Sequence, residues 1–324
     1  MKAAVYYANG GPEVLKYEDV PDPKCPADGV IVDVEVISVE GGDSLHRSRS
    51  PFTDMPHIVG YQCAGTISEV GPNVKGRSVG QKVVALMPSG SHAEKAAASA
   101  STTWLVPDGA DLTHVACIPV AFGTAHEALF ALGHLERGQT VLVHAGAGGV
   151  GMAAIQMAKA AGARVVSTAS TADKLARLRE LGLDHGVNYK DDVLVDAVAK
   201  AVGPNAVHLV VDTVGGKTLQ DSVGCLTYRG RIVNLGVAGR DLVPFQPLPL
   251  WGKNASLTGL SLMTSLANDY ARTYQVIAEC IARVVKGELR VIIDRKFPLR
   301  DAVAAHTHVE SRSVFGRVVM LPRG

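Results

Sequence analysis

Residues 141–160 read Val-Leu-Val-His-Ala-Gly-Ala-Gly-Gly-Val-Gly-Met-Ala-Ala-Ile-Gln-Met-Ala-Lys-Ala, an apolar run of β type, a glycine turn and an alanine-rich helix. Few folds accept that order. Gly146 lets the chain leave the strand tightly, Gly148 lets the backbone approach a pyrophosphate, and Gly151 lets the new helix pack closely on the sheet. With Gly149 and Val150 they form a helix N-terminus, where free N–H groups and the dipole favour phosphate. Spaced glycines alone carry little in a chain with 34 of them. The strand before them and the helix after them make this a dinucleotide-binding turn of Rossmann type.

The flanking pattern agrees. Strands are expected at 140–144, 164–168, 186–189, 207–212 and 231–235, alternating with helices at 149–161, 172–181 and 191–202 and near 218–226. This alternation predicts an α/β fold, a doubly wound parallel sheet with helices on both faces. The first hundred residues differ, with few helical signals and expected strands at 30–39, 65–70, 82–87 and 92–97. They predict a separate β-rich domain. Further on come an expected strand at 256–262, a helix at 269–286 and strands at 291–297 and 316–321. The last strands are expected to rejoin the first domain.

Composition narrows the function classes. A chain of 324 residues, 47% hydrophobic and 19% charged, is long enough for two domains. Its 32 basic and 31 acidic residues leave a net charge of +1, so no global field draws it to nucleic acid or an anionic membrane. No aromatic-basic cluster marks a nucleic-acid surface either. The start lacks an apolar signal core, and no later stretch offers 18 uncharged apolar residues, so a soluble cytoplasmic protein is expected. The five cysteines are scattered and never form CxxC; they read as small buried hydrophobes rather than a disulfide framework or a closed zinc site. His306 and His308, the closest histidine pair, read as surface residues.

The end of the second Rossmann strand discriminates between cofactors. NAD binding calls for an Asp or Glu there to accept from the ribose 2′-OH. This chain has Ser167-Thr168-Ala169-Ser170-Thr171 and then Lys174. Hydroxyls such as Ser170, followed by a cation, suit a 2′-phosphate, so NADP(H) is the expected cofactor. Thr171 or Ser170 is expected to cap the helix that follows.

A nucleotide-binding unit preceded by a β-rich domain, with a tail that returns to it, resembles the medium-chain dehydrogenase/reductase superfamily, and its zinc-free quinone oxidoreductase-like branch in particular. The resemblance covers essentially the whole chain. It implies a GroES-like catalytic domain from 1–120 and 259–324 and a Rossmann NADP-binding domain at 121–258. It also implies a homodimer in which the 256–262 strand pairs across the two-fold axis. Lys174 and Tyr189 match the branch's 2′-phosphate contacts. Thr124 in Gly123-Thr124-Ala125, Val214 with Gly215, and Leu235 with Gly236 match the wall around the rest of the cofactor.

Zinc members of the superfamily open the second half of the first domain with Gly-His-Glu. The corresponding residues here are Gly60-Tyr61-Gln62, and the place of a ligating cysteine upstream holds Val39-Glu40-Gly41-Gly42-Asp43. Cys117 lies near the third ligand's place without partners, so no metal is expected. Without a Lewis acid the small-molecule substrate must itself be electron-poor, as quinones and α,β-unsaturated carbonyls are. The branch usually reads Asn, two residues, Asp, three residues, Arg; this chain keeps Asp43 and Arg47 but has Glu40 at the Asn place and His46 at a Tyr place. Ionised Glu40 accepts and cannot donate. His46 and Tyr61 are the candidate proton donors, while Asp43 and Arg47 also read as a structural ion pair. The expected activity is hydride transfer from NADPH to a quinone or α,β-unsaturated carbonyl. An enoyl or haloalkenoate reductase, and an NADPH-binding structural or regulatory protein of crystallin type, stay open beside it.

Overall fold

The computed structural model describes residues 1–52, 54–241 and 243–323, and it falls into two units, Met1–Pro119 with Ile277–Gly324, and Val120–Val276. The first unit opens with β1 (Lys2–Tyr6), β2 (Lys16–Asp19), β3 (Gly29–Val39), α1 (Gly41–Arg49), β4 (His57–Ile58), β5 (Gln62–Val70), β6 (Lys82–Leu86), β7 (Lys95–Ser99), β8 (Thr103–Leu105) and the single turn α2 (Leu112–Val115). Strand β3 is its spine, antiparallel to both β5 and β7. Val30, Val32 and Val34 enter the core from even positions, Ile37 and Val39 from odd ones. A register shift against β5 between Val34 and Val36 explains the switch, since one extra residue turns the following side chains to the other face.

The second unit holds most of α3 (Ile118–His126), a π-helical turn at Glu127–Ala131, then β9 (Thr140–Val143), α4 (Gly149–Ala160), β10 (Arg164–Ala169), α5 (Ala172–Arg179), β11 (His185–Asn188), α6 (Leu194–Val202), β12 (Val207–Asp212), α7 (Gly216–Cys225), β13 (Leu226–Asn234), α8 (Leu248–Trp251) and β14 (Ser256–Gly259). All the pairings are parallel, in the order β11-β10-β9-β12-β13-β14. This is the doubly wound order, with the chain reversing direction between β9 and β12, where such sheets bind ligands beyond their carboxyl ends.

After α9 (Leu262–Asn268) and α10 (Tyr270–Val285), the chain returns to the first unit as β15 (Ile293–Pro298), α11 (Ala302–Glu310) and β16 (Arg317–Leu321). Strand β16 pairs with β3, so the last strands do complete the first unit's sheet. Three local expectations shift. The strand expected at 92–97 starts at Lys95, because the His92 N–H is tied to the Val59 carbonyl and its ring is buried. The strand expected at 256–262 stops at Gly259, because the Ser261 side chain caps α9 through the Thr264 N–H. Helices α1 and α11 replace stretches without a helical signal. Among the described residues, no helix is long and apolar enough to cross a membrane.

Candidate functional site

The glycine turn is built by close approach. A Cβ on Gly146 would strike Ser167 Oγ, and one on Gly151 would lie 2.5 Å from the Ala145 carbonyl oxygen and 2.7 Å from Gly146 Cα. Gly148 caps α4 with no side-chain acceptor, so Gly149, Val150 and Gly151 open the helix with its positive end uncapped by protein. That donor set fits a pyrophosphate. A buried residue outside the sequence-derived site holds the turn: His144. Ser222 donates to the Thr218 carbonyl at 2.7 Å, so His144 Nε2–H donates to Ser222 Oγ at 2.8 Å. His144 Nδ1 then accepts from Thr168 Oγ1 at 3.2 Å, which in turn accepts from the Ala145 N–H at 3.1 Å. Burial lowers the His144 pKa, which keeps the ring neutral and this pattern intact.

At the end of β10, Ser170 and Lys174 are both buried, at 8% exposure. Thr171 caps α5 by accepting from the Lys174 N–H at 3.2 Å. The Tyr189 N–H donates to the Ala169 carbonyl, which sets Tyr189 beside the same strand end with its ring half in solvent. No carboxylate belongs to the segment from Ser167 to Thr171, so this corner fits a 2′-phosphate better than a free 2′-OH. Thr124 is buried on α3, while Val214–Gly215 and Leu235–Gly236 follow β12 and β13 as adjoining loops. Gly215 has φ 73°, and a Cβ there would lie 3.1 Å from the Gly236 carbonyl oxygen.

In the first unit, Glu40 belongs to a closed buried set. Its Oε1 accepts from Ser38 Oγ at 3.0 Å, from Gln62 Nε2 at 3.1 Å and from Arg317 Nη2. Gln62 Nε2 also donates to the Ala116 carbonyl at 2.7 Å, and Arg317 Nη2 to Ser38 Oγ at 2.7 Å. Burial pushes the Cys117 thiol up, and it donates to the Thr113 carbonyl at 3.4 Å. The side chains at the superfamily's ligand places thus surround a guanidinium and a protonated thiol. Among the described residues, no group of three or more His, Cys, Asp or Glu side chains is placed to hold a metal ion.

Asp43 and Tyr61 adjoin this set. Asp43 Oδ2 accepts from the Glu40 N–H at 2.8 Å across the first turn of α1, and its buried Oδ1 has no hydrogen-bond partner. Burial pushes its carboxyl well above the usual range, against that N–H. The Tyr61 hydroxyl rests on the same turn, since a Cβ on Gly42 would collide with Oη. Burial, then the charges of Asp43 and Glu40, raise the phenol well above its ordinary value, so Tyr61 keeps its proton at neutral pH. His46 lies elsewhere on α1, its ring centroid 5.2 Å from that of His57, and burial lowers its pKa. It is a neutral ring at pH 7.

Two expectations need correction. Arg47 does not pair with Asp43: its Nη2 donates to Glu310 Oε1 at 2.5 Å and its Nε to the Gly10 carbonyl at 3.2 Å. His306 is not at the surface but fully buried, with Nδ1 2.5 Å from Arg47 Nη1 and Nε2 3.0 Å from His92 Nε2. Arginine can only donate, so His306 Nδ1 accepts, its Nε2–H donates to His92 Nε2, and His92 Nδ1–H faces Ser91 Oγ at 3.3 Å. The residue type misled because a histidine pair in a strand or loop without a third ligand nearby is usually solvated. Here α11 packs His306 against α1, and Arg47 gives it a partner.

Comparison with known proteins places both units. Residues 26–131 match the alcohol dehydrogenase GroES-like domain family, and residues 149–279 the zinc-binding dehydrogenase family. Tyr61 and Gln62, at the zinc-ligand places, lie outside the second match. The chain is 31% identical to the 2-haloacrylate reductase of a Burkholderia species, over 99% of each chain. It is 28% identical to the quinone oxidoreductase of Rattus norvegicus, over 99% of this chain and 98% of the relative. The crystal structure of Escherichia coli quinone oxidoreductase complexed with NADPH superposes with a TM-score of 0.95 at 27% identity, covering 99% of this chain and 100% of that one. On this site geometry and these relatives, the chain belongs to the quinone oxidoreductase-like branch of the medium-chain dehydrogenase/reductase superfamily.

Proposed function

We propose that this protein is an NADPH-dependent reductase that adds a hydride and a proton to a quinone or an α,β-unsaturated carbonyl compound. The observation that carries the reading is the end of β10, where Ser170 and Lys174 are buried and no carboxylate waits for a 2′-OH. Both relatives named above act on activated acceptors by their names, and the Escherichia coli structure holds NADPH.

NADPH, when bound, would supply the hydride. The residues to hold it are Gly146 to Gly151 for the pyrophosphate, Ser170, Lys174 and Tyr189 for the 2′-phosphate, and Thr124, Val214, Gly215, Leu235 and Gly236 along its length. Tyr61 supplies the proton. Its hydroxyl lies against Gly42 in the first turn of α1, and its raised pKa keeps that proton on at neutral pH. The tyrosinate left behind lies at the positive end of α1 and takes its proton back from water. Glu40 and Asp43 act by position: Glu40 locks Gln62 and Arg317, and Asp43 fixes the first turn of α1 under Tyr61.

The assembly belongs to the same reading. Strand β14 ends the sheet order with an open edge, which supports a homodimer joined there. Five unpaired cysteines agree with a reducing, cytoplasmic setting. Oxidation of NADPH followed against 1,2-quinones, 1,4-quinones and 2-alkenals tests the function. Turnover with one of these classes supports it, whereas saturable NADPH binding with no turnover on any of them points to the crystallin-type reading instead. Turnover confined to 2-haloacrylate would favour the narrower haloalkenoate activity named by the Burkholderia relative.

A further inference from the structure

One buried carboxylate in the second unit has no role so far. Asp212 closes β12 and is fully buried. Its Oδ1 accepts from the Val214 N–H at 2.8 Å and the Gly215 N–H at 3.1 Å, and its Oδ2 from Gly215 N–H at 3.2 Å and Asn234 Nδ2 at 2.9 Å. Asn234 closes β13, and the same amide nitrogen reaches the Gly236 carbonyl at 3.1 Å. Backbone bonds run alongside: the Leu235 N–H to the Asp212 carbonyl, Ala238 to Thr213 and Gly239 to Val214. The donors to this carboxylate are the Val214 and Gly215 N–H groups of the loop after β12 and the Asn234 side chain, which closes β13 just before Leu235–Gly236.

We infer that Asp212 and Asn234 form a clasp that positions the two cofactor-wall loops relative to each other, making Asp212 a positioning residue for NADPH affinity. The inference rests on the proposed NADPH function. Asp212 does not touch the reacting atoms; it sets where the Gly215 and Gly236 backbones stand. Only a carboxylate serves at position 212, because an amide there would turn an N–H toward either the Gly215 N–H or the Asn234 amide nitrogen.

The test uses the full chain, with NADPH affinity measured by fluorescence titration alongside steady-state kinetics and thermal unfolding. Asp212→Asn is expected to weaken NADPH binding about ten-fold and raise the NADPH KM in parallel, with kcat at saturating NADPH within about two-fold, since each hydrogen bond to a charged group is worth about one to two powers of ten. Asn234→Ala, which leaves the Asp212 bonds to Val214 and Gly215 in place, is expected to weaken it by about three-fold. A merely destabilising change would instead lower kcat at saturating NADPH along with the affinity. Wild-type binding with an unchanged Asp212→Asn affinity overturns the clasp alone, as does a loss of affinity matched by an equal fall in kcat. If Asp212→Asn does not fold, a normal affinity in Asn234→Ala overturns it. A wild type that binds no NADPH overturns the proposed function, and the clasp's role with it.

Discussion

Arg317 on β16 donates to the carboxylate of Glu40 at the end of β3, with side-chain exposures of 9% and 4%, inside the first unit. The pair sits 277 residues apart in sequence. It closes the chain's two ends around the polar set that holds Gln62 and Cys117. Burial works against the guanidinium's charge, and the Glu40 carboxylate more than offsets it, holding Arg317 above its ordinary value.

Removing one partner of such a pair leaves the other charged and buried. Arg317→Met is therefore expected to cost about 3–5 kcal/mol in urea unfolding, and adding Glu40→Gln to it should recover part of that loss. A double variant that is the sum of its two single variants would show the two side chains to be uncoupled.

The histidine pair predicts acid sensitivity. His92 is lowered to about 3 and His306 well below its ordinary 6.5, both by burial first, so on unfolding each takes up a proton that the native state refuses. Stability is full above pH 6.5 and falls as pH drops below it, toward about 3 for His92, at about 1.4 kcal/mol per pH unit for each ring. Asp43 opposes them: its raised value makes the native state keep a proton that the unfolded carboxyl loses above 3.8, so it takes stability away as pH rises through that range. His46, His57 and His144, also lowered by burial, act in the same sense as this pair, so the balance is a net loss on acidification, to be read from urea midpoints at pH 7 and pH 5. His92→Gln with His306→Gln should reduce the difference, and an unchanged slope would contradict the assignment.

Tyr61→Phe should lower kcat by about a hundred-fold while leaving NADPH affinity unchanged, the usual scale for a lost general acid. Because the phenol is raised rather than lowered, the wild-type rate should show no inflection from Tyr61 between pH 6 and 8. Gly42→Ala should copy part of this loss by pushing Oη off the α1 turn. Equal rates in wild type and Tyr61→Phe would move the proton donor elsewhere, with His46 next in line.

Much of the second unit was legible from residue type alone. The alternation of apolar strands with helices, and glycines at 146, 148 and 151, carry local physical requirements that survive any tertiary context. Helix α1 was not legible: it opens on Gly41-Gly42 and turns Asp43, Ser44 and Arg47 inward, so it lacks the apolar stripe that marks a buried helix. The same holds for His306, whose partner Arg47 lies 259 residues away. Polar partners brought together from opposite chain ends leave no periodic trace, and the first unit's site is made of them. The Asp212–Asn234 clasp was missed for a related reason, since an Asp closing an apolar strand looks like any strand terminus.

Lys174 is buried at the place for a 2′-phosphate, so Lys174→Ala should raise the NADPH KM about ten-fold and leave the NADH KM alone, the scale of one charge-assisted contact. An equal rise for both cofactors would assign Lys174 to the fold rather than to the phosphate.

The most direct test of the whole account is the ratio of kcat/KM for NADPH to that for NADH, measured on the wild-type protein with 1,4-benzoquinone as acceptor. A ratio of about ten or more in favour of NADPH is the predicted result. A ratio of one or below, or no oxidation of either cofactor by any quinone or alkenal, would contradict it.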